Sequence, residues 1–300
     1  MKAMILAAGL GTRLQPLTLK MPKPLLPVAN RPVIDRLLEY LKNFGVTDVV
    51  INAHHLHEMV VSYLSNGRSS GLGIQVRVEP EILGTGGGIK NSEDFWDEDP
   101  FIVINGDILT DIDLEPALEA HKSEGNLVTM ILHDHQPFNQ VGMDARGNIE
   151  RISSRILPDA LAFTGIHILE KEVLSHISPG RFSCILECYR KLIHDGRHVR
   201  GYVSKGHYWR DMGTVENYLL ANRENIRALP FLAGRGCHIA REAQIKDCSV
   251  IGNRTTIEKG AEITGSVLWD DVKIKQGVRV IDSIVTSGKE VSHDIESSIL

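Results

Sequence analysis

The sequence predicts an α/β domain with a doubly wound, mainly parallel sheet, followed by a short parallel β-helix. Three observations carry this. Through residue 230, short β-rich runs alternate with helical patterns, the rhythm of βαβ units and a parallel sheet. From about Gly234 the rhythm changes. Ile239, Ile245, Ile251, Ile257 and Ile263 fall six apart, and after a slip Val272, Val278 and Ile284 resume the step. A sustained hexapeptide period is the mark of a parallel β-helix, in which one aliphatic residue per six stacks inward. A sandwich of short strands predicts alternation by two and leaves the six unexplained. Finally, Pro230 breaks the helical run "TVENYLLANRENIRAL", which sets one domain at 1–230 and another at 234–300.

The elements follow in order. "AMILAA" reads as a buried strand. "VIDRLLEYLKNFG" carries an amphipathic stripe at Val33, Ile34, Leu37, Leu38, Leu41 and Phe44, closed by Gly45. "DVVIN", "IQVRV", "FIVING" and "LVTMIL" read as further strands; "LHEMVVSYL" and "LEPALEAHKSEG" read as helices. In such sheets ligands bind beyond the carboxyl ends of the strands, where the loop after the first strand lies.

Composition excludes several classes. The 300 residues carry a formal net charge of -5, so no basic surplus points to nucleic acid. No apolar run approaches the roughly 20 residues of a membrane helix. The first strand is too short for a signal peptide, and a cytoplasmic protein is expected. Cys184, Cys188, Cys237 and Cys248 form no CxxC; the first two sit one helical turn apart, as helix neighbours rather than metal ligands. His54, His55 and His57 lack a carboxylate at metal spacing and read as a strand-to-helix loop or the wall of a cleft.

The stretch "LAAGLGTRLQPLTLKMPKPLLPV" (6–28) is the most informative. A dinucleotide fingerprint fails: Leu14 stands where the third glycine belongs, Pro16 where the helix should run, and Asn52 ends the second strand without an acid. A P-loop fails for want of GK[ST]. Polyphosphate binding fits better. Gly9 and Gly11 let the backbone approach phosphate, Arg13 offers a fork of donors, and Lys23 sits on a backbone stiffened by Pro22 and Pro24.

"GLGTRLQPLTLKMPKP" resembles the signature of the sugar-phosphate nucleotidyltransferases, G-x-G-T-R-x-x-P-x-T-x-x-x-P-K-P, with every fixed position filled. Three further segments agree. "EPEILGTGGGI" (79–89) is similar to the family's base- and sugar-binding loop, "INGDIL" to its G-D metal ligand, and "YWRDMGT" (208–214) to its W-x-D-x-G-T. The coils resemble an appendage of mannose-1-phosphate guanylyltransferase-like members.

The resemblance implies a Rossmann-like sheet of the nucleotide-diphospho-sugar transferase type, with a left-handed β-helix. It implies that a nucleoside triphosphate and a sugar 1-phosphate yield a nucleotide sugar and pyrophosphate, with Mg²⁺ held by Asp107 and Asp211. Arg13, Lys23, Asp107 and Asp211 are the implied catalytic set. Leu6, Ala8, Gly9, Gly11, Thr12, Arg13, Glu79, Leu83, Gly84 and Thr85 would bind the nucleotide; Gly142, Thr164 and Gly165 would bind the sugar. The sequence departs from relatives in lacking a Phe-x-Glu-Lys-Pro lysine, for which Arg151 or Arg155 are the candidate substitutes, and its LGTGGG loop is closer to uridylyltransferases for amino sugars such as N-acetylmuramate 1-phosphate. Guanylyl, uridylyl and thymidylyl transfer therefore stay open, beside a non-catalytic paralogue that binds nucleotide sugar. An acyltransferase site in the coils is disfavoured, because His238 and His293 lie at their two ends. The coils are expected to serve a homo-oligomer or to pack on the first domain.

Overall fold

The computed structural model describes residues 1–65, 71–136, 138–226 and 228–300; Arg227, near the end of the expected helix 214–229, lies outside them. The described chain forms two compact units. One comprises Met1–Leu10, Pro22–Pro24 and Ile34–Arg210; the other comprises Gly11–Met21, Leu25–Val33 and Asp211–Leu300.

The first unit is built on a nine-stranded mixed sheet. Its strands are β1 (Lys2–Leu6), β2 (Asp48–Ala53), β3 (Gly73–Val78), β4 (Phe101–Asn105), β5 (Ile108–Thr110, outside this sheet), β6 (Val128–His133), β7 (Asn139–Met143), β8 (Ile149–Ile152), β9 (Leu161–Leu169) and β10 (Val199–Val203). β3, β2, β1 and β4 are consecutive and parallel, and β10 runs parallel to β6. β9 runs antiparallel to β4, β6 and β7. Periodicity did not show this reversal, since a buried strand reads as one apolar run in either direction.

The helices are α1 (Val33–Asn43), α2 (His57–Ser65), α3 (Gly84–Lys90), α4 (Glu115–Ser123), α5 (Ile185–His194) and α6 (Val215–Ile226). α1 matches the apolar stripe of the sequence, and α2, α4 and α6 fall in the segments read as helices. α3 has the sequence GTGGGIK, where each glycine costs about 1 kcal/mol relative to alanine. It forms because its backbone is held from outside: Gly86 and Gly87 donate N–H groups to Ser183 O at 2.8 and 3.2 Å, and Ser183 N–H donates to Leu83 O at 2.8 Å. A sheet core of Met4, Val50, Phe101, Val103, Met130 and Leu169, among others, is buried beneath. Cys188 is buried in α5, Cys184 caps that helix, and all four cysteines are free thiols. Burial pushes the Cys188 thiol up to about 11.

The second unit contains the coils, as three four-stranded parallel sheets. The pairing Ile239↔Ile257↔Ile274↔Val291 stacks one aliphatic residue per coil, and Ile245↔Ile263↔Val280↔Ile295 stacks another. The expected slip is a shortened corner. After Ile263 the inward ladder resumes five residues on at Leu268, which pairs with Ile251 and Val285. Val272 and Val278, expected to carry the ladder, are buried at the corners instead. The same unit carries α6 and residues 25–33. Trp269 Nε1 donates to Tyr218 Oη at 3.0 Å, Tyr218 Oη donates to Pro27 O at 2.6 Å, and Asn30 Nδ2 donates to Ile251 O at 2.7 Å. The coils are thus bonded to α6 and to the loop that follows the lysine. Among the described residues no helix is long and apolar enough to cross a membrane.

Candidate active site

In the first unit, Leu6 ends β1 between Asn52 of β2 and Asn105 of β4. The chain then leaves the sheet at Ala7 and Ala8, and Gly9 is exposed. The pairing with β1 continues one residue past β4: Gly106 N–H donates to Leu6 O at 2.8 Å. That contact carries Asp107 to the carboxyl end of the sheet. Lys23 Nζ donates to Asp107 Oδ2 as an ion pair across 84 residues, with side chains 14% and 22% exposed. Pro22 and Pro24 are both buried, so the lysine projects from a clamped backbone. An ammonium and a carboxylate at the mouth of a parallel sheet suit the handling of phosphate and its counter-cation.

In the second unit, Gly11 adopts φ 64° and opens the short turn Thr12–Leu14. A side chain there would be strained and would meet the methyl of Thr18, whose hydroxyl donates to Gly11 O at 2.8 Å. Leu14 and Leu17 are buried and leave Thr12 and Arg13 exposed. Asp211 Oδ1 accepts the Gly213 N–H at 2.8 Å. A methyl at Gly213 would lie 2.8 Å from an Arg13 terminal nitrogen, so the guanidinium lies against the Asp211–Gly213 turn. Arg13 and Asp211 thus meet within one unit, and Lys23 and Asp107 within the other.

The expected base loop begins in the first unit at Glu79. This residue is only 1% exposed. Its Oε1 accepts from Asn52 Nδ2 at 2.7 Å, and its Oε2 accepts from Leu83 N–H at 3.1 Å. Leu83 is the N-cap of α3, Gly84 and Thr85 open the helix, and Thr85 Oγ1 accepts the Ile185 N–H at 2.9 Å. His54 lies in the loop after β2, where its Nδ1 meets Glu79 O at 2.8 Å, and His57 opens α2.

Gly142 lies on β7, and Thr164 and Gly165 lie on β9. The Thr164 hydroxyl is buried and donates to Ile131 O at 2.8 Å, and Trp209 Nε1 donates to Thr164 O at 2.9 Å. Thr164 therefore faces the interior by its side chain. Arg151 and Arg155 are exposed. Motif reading noted Asn52 only as an acid that was missing, and passed over Ser183 and Gly88. The trace of these two in the sequence is the glycine run itself, whose backbone has to be held by something else. Among the described residues no three His, Cys, Asp or Glu side chains gather as a metal cluster.

The fold and these loops define a nucleotidyl-transfer protein, and the comparisons agree. The nucleotidyl transferase family model matches residues 2–227, and a GlmU-like C-terminal hexapeptide model matches 196–297. The chain belongs to the sugar-phosphate nucleotidyltransferase family. It is 31% identical to mannose-1-phosphate guanylyltransferase of Mycobacterium tuberculosis, over 92% of this chain and 81% of that one. It is 32% identical to UTP–glucose-1-phosphate uridylyltransferase of Synechocystis, over 95% and 82%. A Bacillus anthracis crystal structure, assigned provisionally as a glucose-1-phosphate thymidylyltransferase, superposes with TM-score 0.67 at 28% identity, over 74% of this chain and 94% of that one.

Proposed function

We propose that this protein condenses a nucleoside triphosphate with a sugar 1-phosphate, giving a nucleotide sugar and pyrophosphate, with mannose 1-phosphate and GTP as the leading pair. The observation that carries this is the Lys23–Asp107 ion pair, which joins two separate family motifs at the carboxyl end of one sheet. Similarity to a guanylyltransferase and to a uridylyltransferase at nearly equal identity supports a second reading, uridylyl transfer to glucose 1-phosphate or an amino-sugar 1-phosphate.

The reaction is an in-line attack. A phosphate oxygen of the sugar 1-phosphate bonds to the α-phosphorus, the bond from that phosphorus to the bridging oxygen breaks, and pyrophosphate leaves with the electron pair. The nucleophile is already anionic, so no base is required. Catalysis is positioning and charge neutralisation. Lys23 neutralises charge growing on the α-phosphoryl group. Arg13 holds the β- and γ-phosphates. The N–H groups of the Gly9–Gly11 turn line the polyphosphate.

Asp107 and Asp211 are each proposed as a carboxylate ligand to Mg²⁺, which when bound would neutralise phosphate oxygens. The donor chemistry fits. Asp107 already accepts one cation, Lys23, and a site with few protein ligands suits a metal that keeps water and phosphate oxygens around it. A cytoplasmic location and assembly through the coils belong to the same reading. The test is a matrix of four NTPs against a panel of sugar 1-phosphates, read as pyrophosphate release with Mg²⁺. Release from one pair well above the others names the substrates, and release from none rejects the function.

A further inference from the structure

Asn52 stands at the carboxyl end of β2, opposite Leu6 of β1 and Arg77 of β3. It is 2% exposed, and Glu79, the first residue past β3, is 1% exposed. Asn52 Oδ1 accepts the Ala7 N–H at 2.7 Å, and Asn52 Nδ2 donates to Glu79 Oε1 at 2.7 Å. Glu79 Oε2 accepts the Leu83 N–H at 3.1 Å. The Glu79 backbone is fixed as well, because its N–H donates to Ala53 O at 2.8 Å. Two side chains thus connect Ala7, where the phosphate loop begins, to Leu83, where the helix of the base loop begins. Gly88 of α3 lies over the join: a methyl there would sit 2.7 Å from Asn52 Nδ2 and 2.9 Å from Glu79 Oε1.

The chemistry of the chain of bonds dictates the residue types. Ala7 and Leu83 each present an N–H. Residue 52 has to accept on one side and donate on the other, which an amide does. Residue 79 has to accept at both oxygens, which a carboxylate does. A buried carboxylate held by neutral donors is costly compared with an apolar pair. Here the cost secures a fixed spacing between two loops of remote sequence.

We propose that Asn52 and Glu79 are positioning residues for the nucleotide: they lock the phosphate loop to the base loop, and neither touches substrate. This rests on the transferase reading and deepens it. It also gives Glu79 an indirect role, where the family resemblance placed it among the nucleotide contacts.

The bonding pattern offers a reciprocal test. Glu79→Gln sets an amide N–H against the Asn52 amide, and Asn52→Asp sets two buried carboxylates together. The double variant Asn52→Asp/Glu79→Gln re-forms all three bonds with the charge moved from 79 to 52. Each protein is titrated calorimetrically with GTP and with UTP in the presence of Mg²⁺, and pyrophosphate release is measured with the same nucleotides. The single variants should weaken binding and lower kcat/KM by about tenfold or more. The double variant should return to within about threefold of wild type, and base preference should not change. Gly88→Ala should behave as a single variant.

Singles that bind as wild type would overturn the proposal. So would a double variant no better than the singles although circular dichroism shows it folded. A base preference altered by Glu79→Gln and still altered in the double would make Glu79 a direct base contact, which also overturns it. If the singles do not fold, the double decides alone: it has to fold and bind within the same threefold. A wild-type protein that binds nucleotide but releases no pyrophosphate with any sugar 1-phosphate would reject the transferase reading and leave the lock standing. One that binds neither nucleotide rejects both.

Discussion

The sheet unit and the coils both bury aliphatic side chains, but they use buried polar groups in opposite ways. In the coils the polar groups repeat. Ser249 Oγ accepts from Ser266 N–H at 3.2 Å, Ser266 Oγ from Ser283 N–H at 3.0 Å, and Ser283 Oγ from Ser298 N–H at 3.1 Å. Each serine satisfies the next coil, as the ladder of Ile257, Ile274 and Val291 fills it. Cations pair from coil to coil in the same manner, Arg254 with Asp271 and Arg279 with Asp294. In the sheet unit the buried polar groups do not repeat. Asn52, Glu79, His121 and His167 each have a distinct set of partners. A polar group that recurs with the period of the fold maintains the architecture; one that occurs once, at the end of a strand, ties a loop that the period cannot fix. The chemistry belongs to the second kind.

The largest expected effect breaks the comparison most directly. Asp107→Asn and Asp211→Asn should each lower turnover by about 10²–10³-fold, the scale of a lost preorganised electrostatic contact. Neither should change the circular dichroism spectrum, since neither fills core. Asp294→Asn in the coils, which removes an equally formal charge from its pair with Arg279, should leave turnover unchanged. Near-normal pyrophosphate release from Asp211→Asn would remove that residue from the proposed metal set.

Next in size are the cations. Lys23→Ala should lower kcat more than it raises KM for the nucleotide, because its charge counts most as the α-phosphoryl group reorganises. Arg13→Ala should weaken nucleotide binding as well. Loss of affinity alone in both variants, with kcat intact, would contradict the roles given to them.

A third expectation separates the units by pH. His121 and His167 are fully buried, and burial holds their imidazoles down to about 4 and about 3. The unfolded chain binds these protons near the ordinary histidine value of about 6.5. Their contribution to stability is therefore present above about 6.5 and is lost as pH falls toward the folded values, at up to about 1.4 kcal/mol per pH unit for each histidine. Thermal melts at pH 7.5 and 5.0 should show the wild type losing stability, and His121→Gln losing less. Equal losses in both would mean that His121 does not govern the acid limb.

Much of this was legible beforehand, for physical reasons. α1 could be read because one apolar stripe faces one core, and the coils could be read because each turn solves the same packing problem. The corner between Ile263 and Leu268 shifted the frame by one, since a turn can lose a residue without losing its inward side chain. α3 was illegible. Its glycines argue against a helix, and what makes it one, Ser183, lies almost a hundred residues away. The antiparallel β9 was hidden because direction leaves no mark on a buried strand. In the candidate site, the charged residues were visible because ligand chemistry dictates their type. Asn52 was visible only as the acid that was missing.

The smallest expected effect gives the sharpest form of the comparison, because one substitution can be made in both regions. Trp209 and Trp269 are each buried, and each indole nitrogen donates one hydrogen bond, to Thr164 O at 2.9 Å and to Tyr218 Oη at 3.0 Å. Replacing either with phenylalanine removes one donor and part of one ring. The lost bond is worth about 1 kcal/mol in either place, and the smaller side chain adds a similar amount. Both variants should thus lose about 1–2 kcal/mol in urea melts. Turnover should distinguish them. Trp209 lies two residues before Asp211 and holds the β9 backbone at Thr164, so Trp209→Phe should lower kcat by about threefold to tenfold through misplacement of these groups. Trp269 bonds a coil to α6, and through Tyr218 to Pro27, four residues after Lys23. If the coils only support the fold, Trp269→Phe leaves kcat at the wild-type value. If kcat falls as far as in Trp209→Phe at equal stability, the coils act on turnover through Tyr218 and residues 25–33, and the division between repeating scaffold and singular site does not hold at Tyr218.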